Sequence, residues 1–179
     1  MDRLASPEWT WTSGAFVALL VLAGWTDLRA RRIPNWLTLS GAGAAIGLRL
    51  WQGWTPAADG LLGVAVGIAL SFPFFAAGFL GGGDAKLLAA VGGFMGPAAL
   101  LRAALVIAVL GGVLAAAQAA RRRLLGPLLW SSGHLLLSWL TLGRRGWPQP
   151  SGGERLAVPY GIAIAAGSLL CWFAPGWMP

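Results

Sequence analysis

A chain of 179 residues with only 11% charged, against roughly a quarter in an ordinary soluble domain, lacks the residues for a water-facing surface. The apolar set makes up 57%, mean hydropathy is +0.70, and 27 glycines and 11 tryptophans supply the small and interfacial residues of packed membrane helices. The formal charge of +7 does not point to nucleic acid: Lys86 is the only lysine, and the arginines fall at the ends of apolar runs, where they set topology and meet lipid.

Uncharged stretches run Trp9 to Thr26, Ile33 to Leu48, Gly60 to Gly83, Leu87 to Leu101, Ala103 to Ala120, Leu124 to Gly143 and Leu156 to Pro179. The first lacks a basic leader segment and runs into Asp27 and three arginines without a clear cleavage signal, so it reads as a retained span. Gly43 with Gly47 and Gly63 with Gly67 have the small-xxx-small spacing that lets helices approach closely. Gly96-Pro97 makes a natural turn between the fourth and fifth stretches. The stretch Leu124 to Gly143 has arginines at both ends, Gly126-Pro127 near its start and Ser131-Ser132-Gly133-His134 at its middle, and is expected to lie at the cytoplasmic interface, with His134 an interfacial residue. The expectation is an all-α polytopic membrane protein of about six transmembrane helices in a single domain over 1–179, with 124–155 a cytoplasmic or interfacial loop.

Orientation follows from the basic residues. With the N-terminus outside, Arg29, Arg31, Arg32, Lys86, Arg121, Arg122, Arg123, Arg144, Arg145 and Arg155 all fall inside, and only Arg3, Arg49 and Arg102 lie toward the outer face. Cys171 is the only cysteine, which leaves no internal disulfide and no cysteine-based zinc site.

Six carboxylates remain as candidates for chemistry. Asp2, Glu8 and Asp59 sit in outer segments, and Glu154, next to Arg155 in a glycine-rich loop, reads as a solvated charge. Asp27 ends the first span and Asp84 opens the fourth, so the topology brings them to the same cytoplasmic depth. Each alone could pair with an arginine or cap a helix. However, Asp84 stands in Gly81-Gly82-Gly83-Asp84-Ala85-Lys86, and three glycines are poor helix material that permits unusual backbone angles and close approach of another chain. Such a segment is expected to line a cleft open to the cytoplasm. Two carboxylates there, one ionised and one protonated, suffice to hydrolyse an amide through activated water, with no metal or cofactor. Lys86 would favour the ionised form if its ammonium reached the pair, and otherwise serves as a topological anchor.

Two motifs then carry a family resemblance. Asp27-Leu28-Arg29-Ala30-Arg31-Arg32-Ile33-Pro34-Asn35 and Gly81-Gly82-Gly83-Asp84-Ala85-Lys86-Leu87-Leu88, followed by Val158-Pro159-Tyr160-Gly161 at the last span, resemble the type IV prepilin leader peptidases, membrane aspartic proteases of the GxGD type. The resemblance implies that Asp27 and Asp84 form the catalytic pair, with Gly81, Gly82, Gly83, Lys86, Pro34 and Asn35 shaping the site. It implies a multi-pass protein of the bacterial inner membrane whose site faces the cytoplasm and cuts the basic leader of a prepilin or pseudopilin after a glycine. The glycine segment would hold that leader by backbone hydrogen bonds, so that Gly83→Val impairs cleavage more than folding. The chain lacks the paired cysteines of the long methylating forms and is similar to the short protease-only form of Flp-type pili. Archaeal preflagellin peptidases are similar at both aspartates.

Other classes fit less well. A transporter or channel subunit calls for ionisable groups near the midplane and often an internal repeat, and neither is visible. A presenilin-like protease usually has a tyrosine before its first aspartate and a later Pro-Ala-Leu, where this chain has Thr26 and Val158-Pro159-Tyr160-Gly161. A non-enzymatic pilus-assembly or transport protein would tolerate loss of either aspartate. The sequence leaves the oligomeric state and the cognate pilin open.

Overall fold

The computed structural model describes residues 7–76, 80–121 and 160–174. The segment 124–143, the loop 124–155 with His134 and Glu154, and Val158-Pro159 lie outside the described residues. Among those described the chain is all helix: α1 (Pro7–Ala30), α2 (Asn35–Gln52), α3 (Trp54–Ala76), α4 (Gly82–Met95), α5 (Pro97–Arg121) and α6 (Tyr160–Phe173). Helices satisfy their own backbone groups, which is what an apolar solvent demands. Trp11–Ala30, Trp54–Ala76 and Pro97–Gln118 are long and apolar enough to cross a bilayer, and the protein is an all-α polytopic membrane protein. Residues Met1–Leu110 with Pro159–Pro179 form one compact unit and Gly111–Val158 a second, in which the described residues comprise the final turns of α5.

The helix ends depart from the uncharged stretches because charged residues are absorbed where they find partners. The expected Ile33–Leu48 span runs to Gln52 and takes in Arg49, and the expected Gly60 start lies at Trp54 and takes in Asp59. The reason is a clasp at one end of the first unit. Arg49 donates from Nη1 to Asp59 Oδ2 at 2.8 Å and to the Pro56 carbonyl at 3.0 Å, and from Nη2 to the Phe94 carbonyl at 2.8 Å. One guanidinium thus ties α2, α3 and the C-terminus of α4, which explains a positive charge at the face expected to be poor in them. Arg49→Ala should lower stability by roughly 1–3 kcal/mol, since it strands the Phe94 carbonyl and the Asp59 charge together. Asp59→Asn, at a half-exposed partner, should cost less; thermal unfolding in detergent of the two variants checks the order.

Packing centres on α4, where every residue from Leu87 to Met95 is buried. Phe16 of α1 lies between Phe94 and Trp172, with ring centroids at 5.1 Å and 4.5 Å, and Leu20, Leu100 and Ile164 complete the most buried layer. Backbone meets backbone between α3 and α4: a Cβ added at Gly63 would collide with the Gly92 carbonyl, and one at Gly67 would lie 2.7 Å from the Ala89 Cα. The close approach expected from small-residue spacing therefore occurs at Gly63 and Gly67. It does not occur at Gly43 and Gly47, where an added Cβ meets nothing within 4 Å, because α2 packs through Gly41 and Ala45 on another face. The turn expected at Gly96-Pro97 is present, with Gly96 at φ 77° as the C-cap of α4.

Exposed tryptophans mark both ends of the bundle. Trp11, Trp51 and Trp54 stand at the start of α1, the end of α2 and the start of α3, while Trp25 and Trp36 flank the α1–α2 turn at the opposite end. The Arg29 guanidinium lies 4.6 Å over the Trp25 ring. Amphipathic rings at two levels are the arrangement that bilayer interfaces favour.

Candidate active site

The end of the first unit that carries the α1–α2 turn also gathers the N-termini of α4 and α6. Helix α1 closes with the Arg31 amide on the Asp27 carbonyl at 2.8 Å, and Arg31 sits in the left-handed region at φ 49°. That conformation usually belongs to glycine at a helix C-terminus. Pro34 then enters extended, at φ −64° and ψ 140°, and its carbonyl accepts the Leu37 and Thr38 amides, so α2 begins at Asn35 with its direction reversed.

Ile33, buried in this turn, is wedged between the two helix N-termini. A Cβ added at Gly83 would lie 3.1 Å from Ile33 Cβ, and one at Gly161 would lie 3.0 Å from Ile33 Cδ1 and 2.8 Å from Asp27 Oδ2. Both glycines are needed for close approach, and neither has a positive φ. The glycine run is thus not the irregular backbone expected: Gly81 is an extended N-cap at φ −70° and ψ 149°, and Gly82 and Gly83 are the first residues of α4. A side chain at 83 would press on Ile33 directly, so Gly83→Val strains packing as well as the site.

The buried Asp27 side chain points at the start of α6. Its Oδ2 accepts the Gly161 amide at 2.9 Å, and the carboxylate also accepts the Ile162 amide. These are first-turn amides with no acceptor inside their own helix, and the positive end of the helix dipole lies behind them. Asp84, in the first turn of α4, reaches back to the Gly81 amide at 3.3 Å, which is one half of a capping box. It lies ahead of the apolar run that starts at Leu87 and outside the three long apolar helices. Burial pushes its carboxyl up to about 6, and the neighbouring Asp27 charge adds to the rise. The two carboxyl groups, 57 positions apart in sequence, therefore feel each other. Tyr160 lies within electrostatic reach of Asp84, and Arg31 of Asp27.

Lys86 does something other than serve the pair. Its ammonium donates to Asn35 Oδ1 at 2.8 Å, linking the start of α2 to α4. Of the expected residues, Asp27, Asp84, Gly81, Gly83, Pro34, Asn35 and Lys86 thus converge on one end of the unit, and Gly82 accompanies them in the first turn of α4. What sequence reasoning missed is the pair of amides at Gly161 and Ile162 and the Ile33 wedge. The signal for the first was the Tyr160-Gly161 step at the mouth of the last span, since only glycine there admits a carboxylate so close. Among the described residues no three of His, Cys, Asp and Glu gather where they could hold a metal ion.

Neither a curated protein nor a solved structure gives a significant match to the chain. A family model does, across more than half of the chain and including both aspartates: residues 14–116 match the type IV leader peptidase family, and the chain belongs to that family.

Proposed function

We propose that this protein is an aspartic endopeptidase that removes the basic leader of type IV, Flp-type prepilin or pseudopilin precursors, working at the cytoplasmic face of the bacterial inner membrane. The observation that carries the reading is the meeting of Asp27 and Asp84 from two distant helices at one end of the bundle. Since the Asp27 charge adds to the rise at Asp84, the state with one carboxyl ionised and the other protonated is the one favoured for catalysis.

Hydrolysis then needs only water. The ionised carboxylate takes a proton from a water molecule as its oxygen bonds the scissile carbonyl carbon, and the protonated partner gives its proton to the carbonyl oxygen. The resulting gem-diol collapses: the first carboxyl returns its proton to the nitrogen, the C–N bond breaks, and a diol hydroxyl reprotonates the second. Both groups end as they began. The Lys86–Asn35 bond supports the role of these two residues as braces that hold the α1–α2 turn against α4. The arginines at 29, 31 and 32 place positive charge beside the site, where lipid phosphate is their main partner.

The test is the full-length protein in proteoliposomes with a synthetic prepilin segment carrying a basic leader and a glycine before the scissile bond. Cleavage at that glycine, read by sequencing the new N-terminus, supports the reading. Intact peptide, or cuts scattered through the mature segment, overturns it in favour of a non-enzymatic assembly protein.

A further inference from the structure

We propose that the N-terminal amides of α6 divide the work of the pair: by holding the Asp27 carboxylate, Gly161 and Ile162 make Asp27 the base and Asp84 the proton donor, with Gly161 a positioning residue. The inference rests on the peptidase reading and assigns a role to a helix beyond the 14–116 region that carries the family match.

The two carboxyl groups differ in what touches them. Asp27 is 5% exposed and accepts two main-chain N–H groups from another helix, the Gly161 bond being 2.9 Å. Backbone amides donate only, so they bind a carboxylate and offer nothing to the proton of a carboxylic acid. Asp84 accepts one amide, that of Gly81, at a longer 3.3 Å. Of the other charged or titratable groups around the site, Arg31 at the end of α1 supports a negative Asp27, Tyr160 at the start of α6 lies within electrostatic reach of Asp84, and Lys86 keeps its charge while its hydrogen bond goes to Asn35. A carboxylate offers about four acceptor positions. Two amides occupy two of them, fix the plane of the group and leave the rest for the attacking water.

Gly161 is what makes this grip possible. A methyl group there would stand 2.8 Å from Oδ2 and 3.1 Å from Asp27 Cβ, and the carboxylate would have to leave the amide. Ile162→Pro is a second cut: proline fits the first turn of a helix and deletes that donor, its ring Cδ standing where the N–H met the carboxylate. Gly24→Ala, whose added Cβ meets only the Ala165 Cβ at 3.9 Å, is the matched control on α1.

The experiment uses the full-length protein in proteoliposomes, with the synthetic glycine-containing leader peptide as substrate and kcat and KM followed against pH. Gly161→Ala should lower kcat about tenfold or more with KM within about twofold, and should move the acid limb of the profile up by about one pH unit. Ile162→Pro should move both in the same direction, and Gly24→Ala should match wild type. In parallel, infrared titration of carbon-13 aspartate in an Asp84→Asn background, with the Asp27→Asn difference as assignment, reads Asp27 without turnover. An Asp27 carboxylate band at neutral pH whose titration midpoint rises in Gly161→Ala supports the assignment even if no peptide is cut, which separates it from failure of the peptidase reading. An acid limb and an Asp27 band unmoved in both Gly161→Ala and Ile162→Pro, or a protonated Asp27 when Gly161 is intact, overturns it.

Discussion

On the proposed reading, Asp27→Asn and Asp84→Asn should each abolish leader cleavage, lowering the rate by at least about a hundredfold and up to about ten-thousandfold, while the protein reaches the membrane at normal levels. The amide is the right replacement because it keeps the local bonds. The new side-chain carbonyl still presents an oxygen to the Gly161 amide in Asp27→Asn, and to the Gly81 amide in Asp84→Asn, so neither helix end loses its acceptor. What disappears is the ability to take or give a proton. Conversion of a co-expressed precursor, read as a gel shift beside an immunoblot for the enzyme, checks both halves of the statement. Full cleavage by either variant would remove the two-carboxylate mechanism. The pH dependence carries a sign of its own. On the proposed reading Asp84 must be protonated to act as donor, and since its carboxyl is pushed up to about 6, the wild-type rate should fall as pH rises through that region. A profile flat from about pH 5 to about pH 8 would place the donor elsewhere.

The second large effect is structural. Gly63→Val and Gly67→Val should leave little folded protein, because an added side chain at either position meets α4 backbone, which unlike a side-chain tip cannot rotate away. Overpacking typically costs about 1–3 kcal/mol, and backbone-to-backbone contact puts these variants at or beyond the upper end. Since α4 carries Asp84, any protein that does fold should also cleave poorly. Gly43→Val is the matched control, a glycine on α2 with open space around it. Thermal unfolding and size-exclusion profiles in detergent separate the three. Equal behaviour of Gly63→Val and Gly43→Val would mean that α3 and α4 are not in backbone contact.

The membrane character, the helical class, the turn at Gly96 and the clustering of Asp27 and Asp84 at one end are local or compositional properties. Too few charges for a water-facing surface and apolar runs long enough to span leave helices as the remaining solution, and alternation of helix direction then sets which ends share a side. That reasoning works residue by residue and needs no knowledge of neighbours. It fails where a residue's role depends on what faces it across sequence. Gly63 and Gly43 have the same spacing motif, and only the helix packed opposite decides that one touches backbone and the other nothing. Arg49 looks misplaced until Asp59 and the Phe94 carbonyl are found around it. Lys86 stands two positions from Asp84, yet its partner is Asn35, on another helix. The same holds at the candidate site: two aspartates at one depth are readable from topology, but their inequality is not. It arises because the first turn of α6, 134 positions from Asp27 at Gly161, delivers its unpaired amides to one carboxylate and not the other, and such hydrogen bonds exist only once the helices have packed.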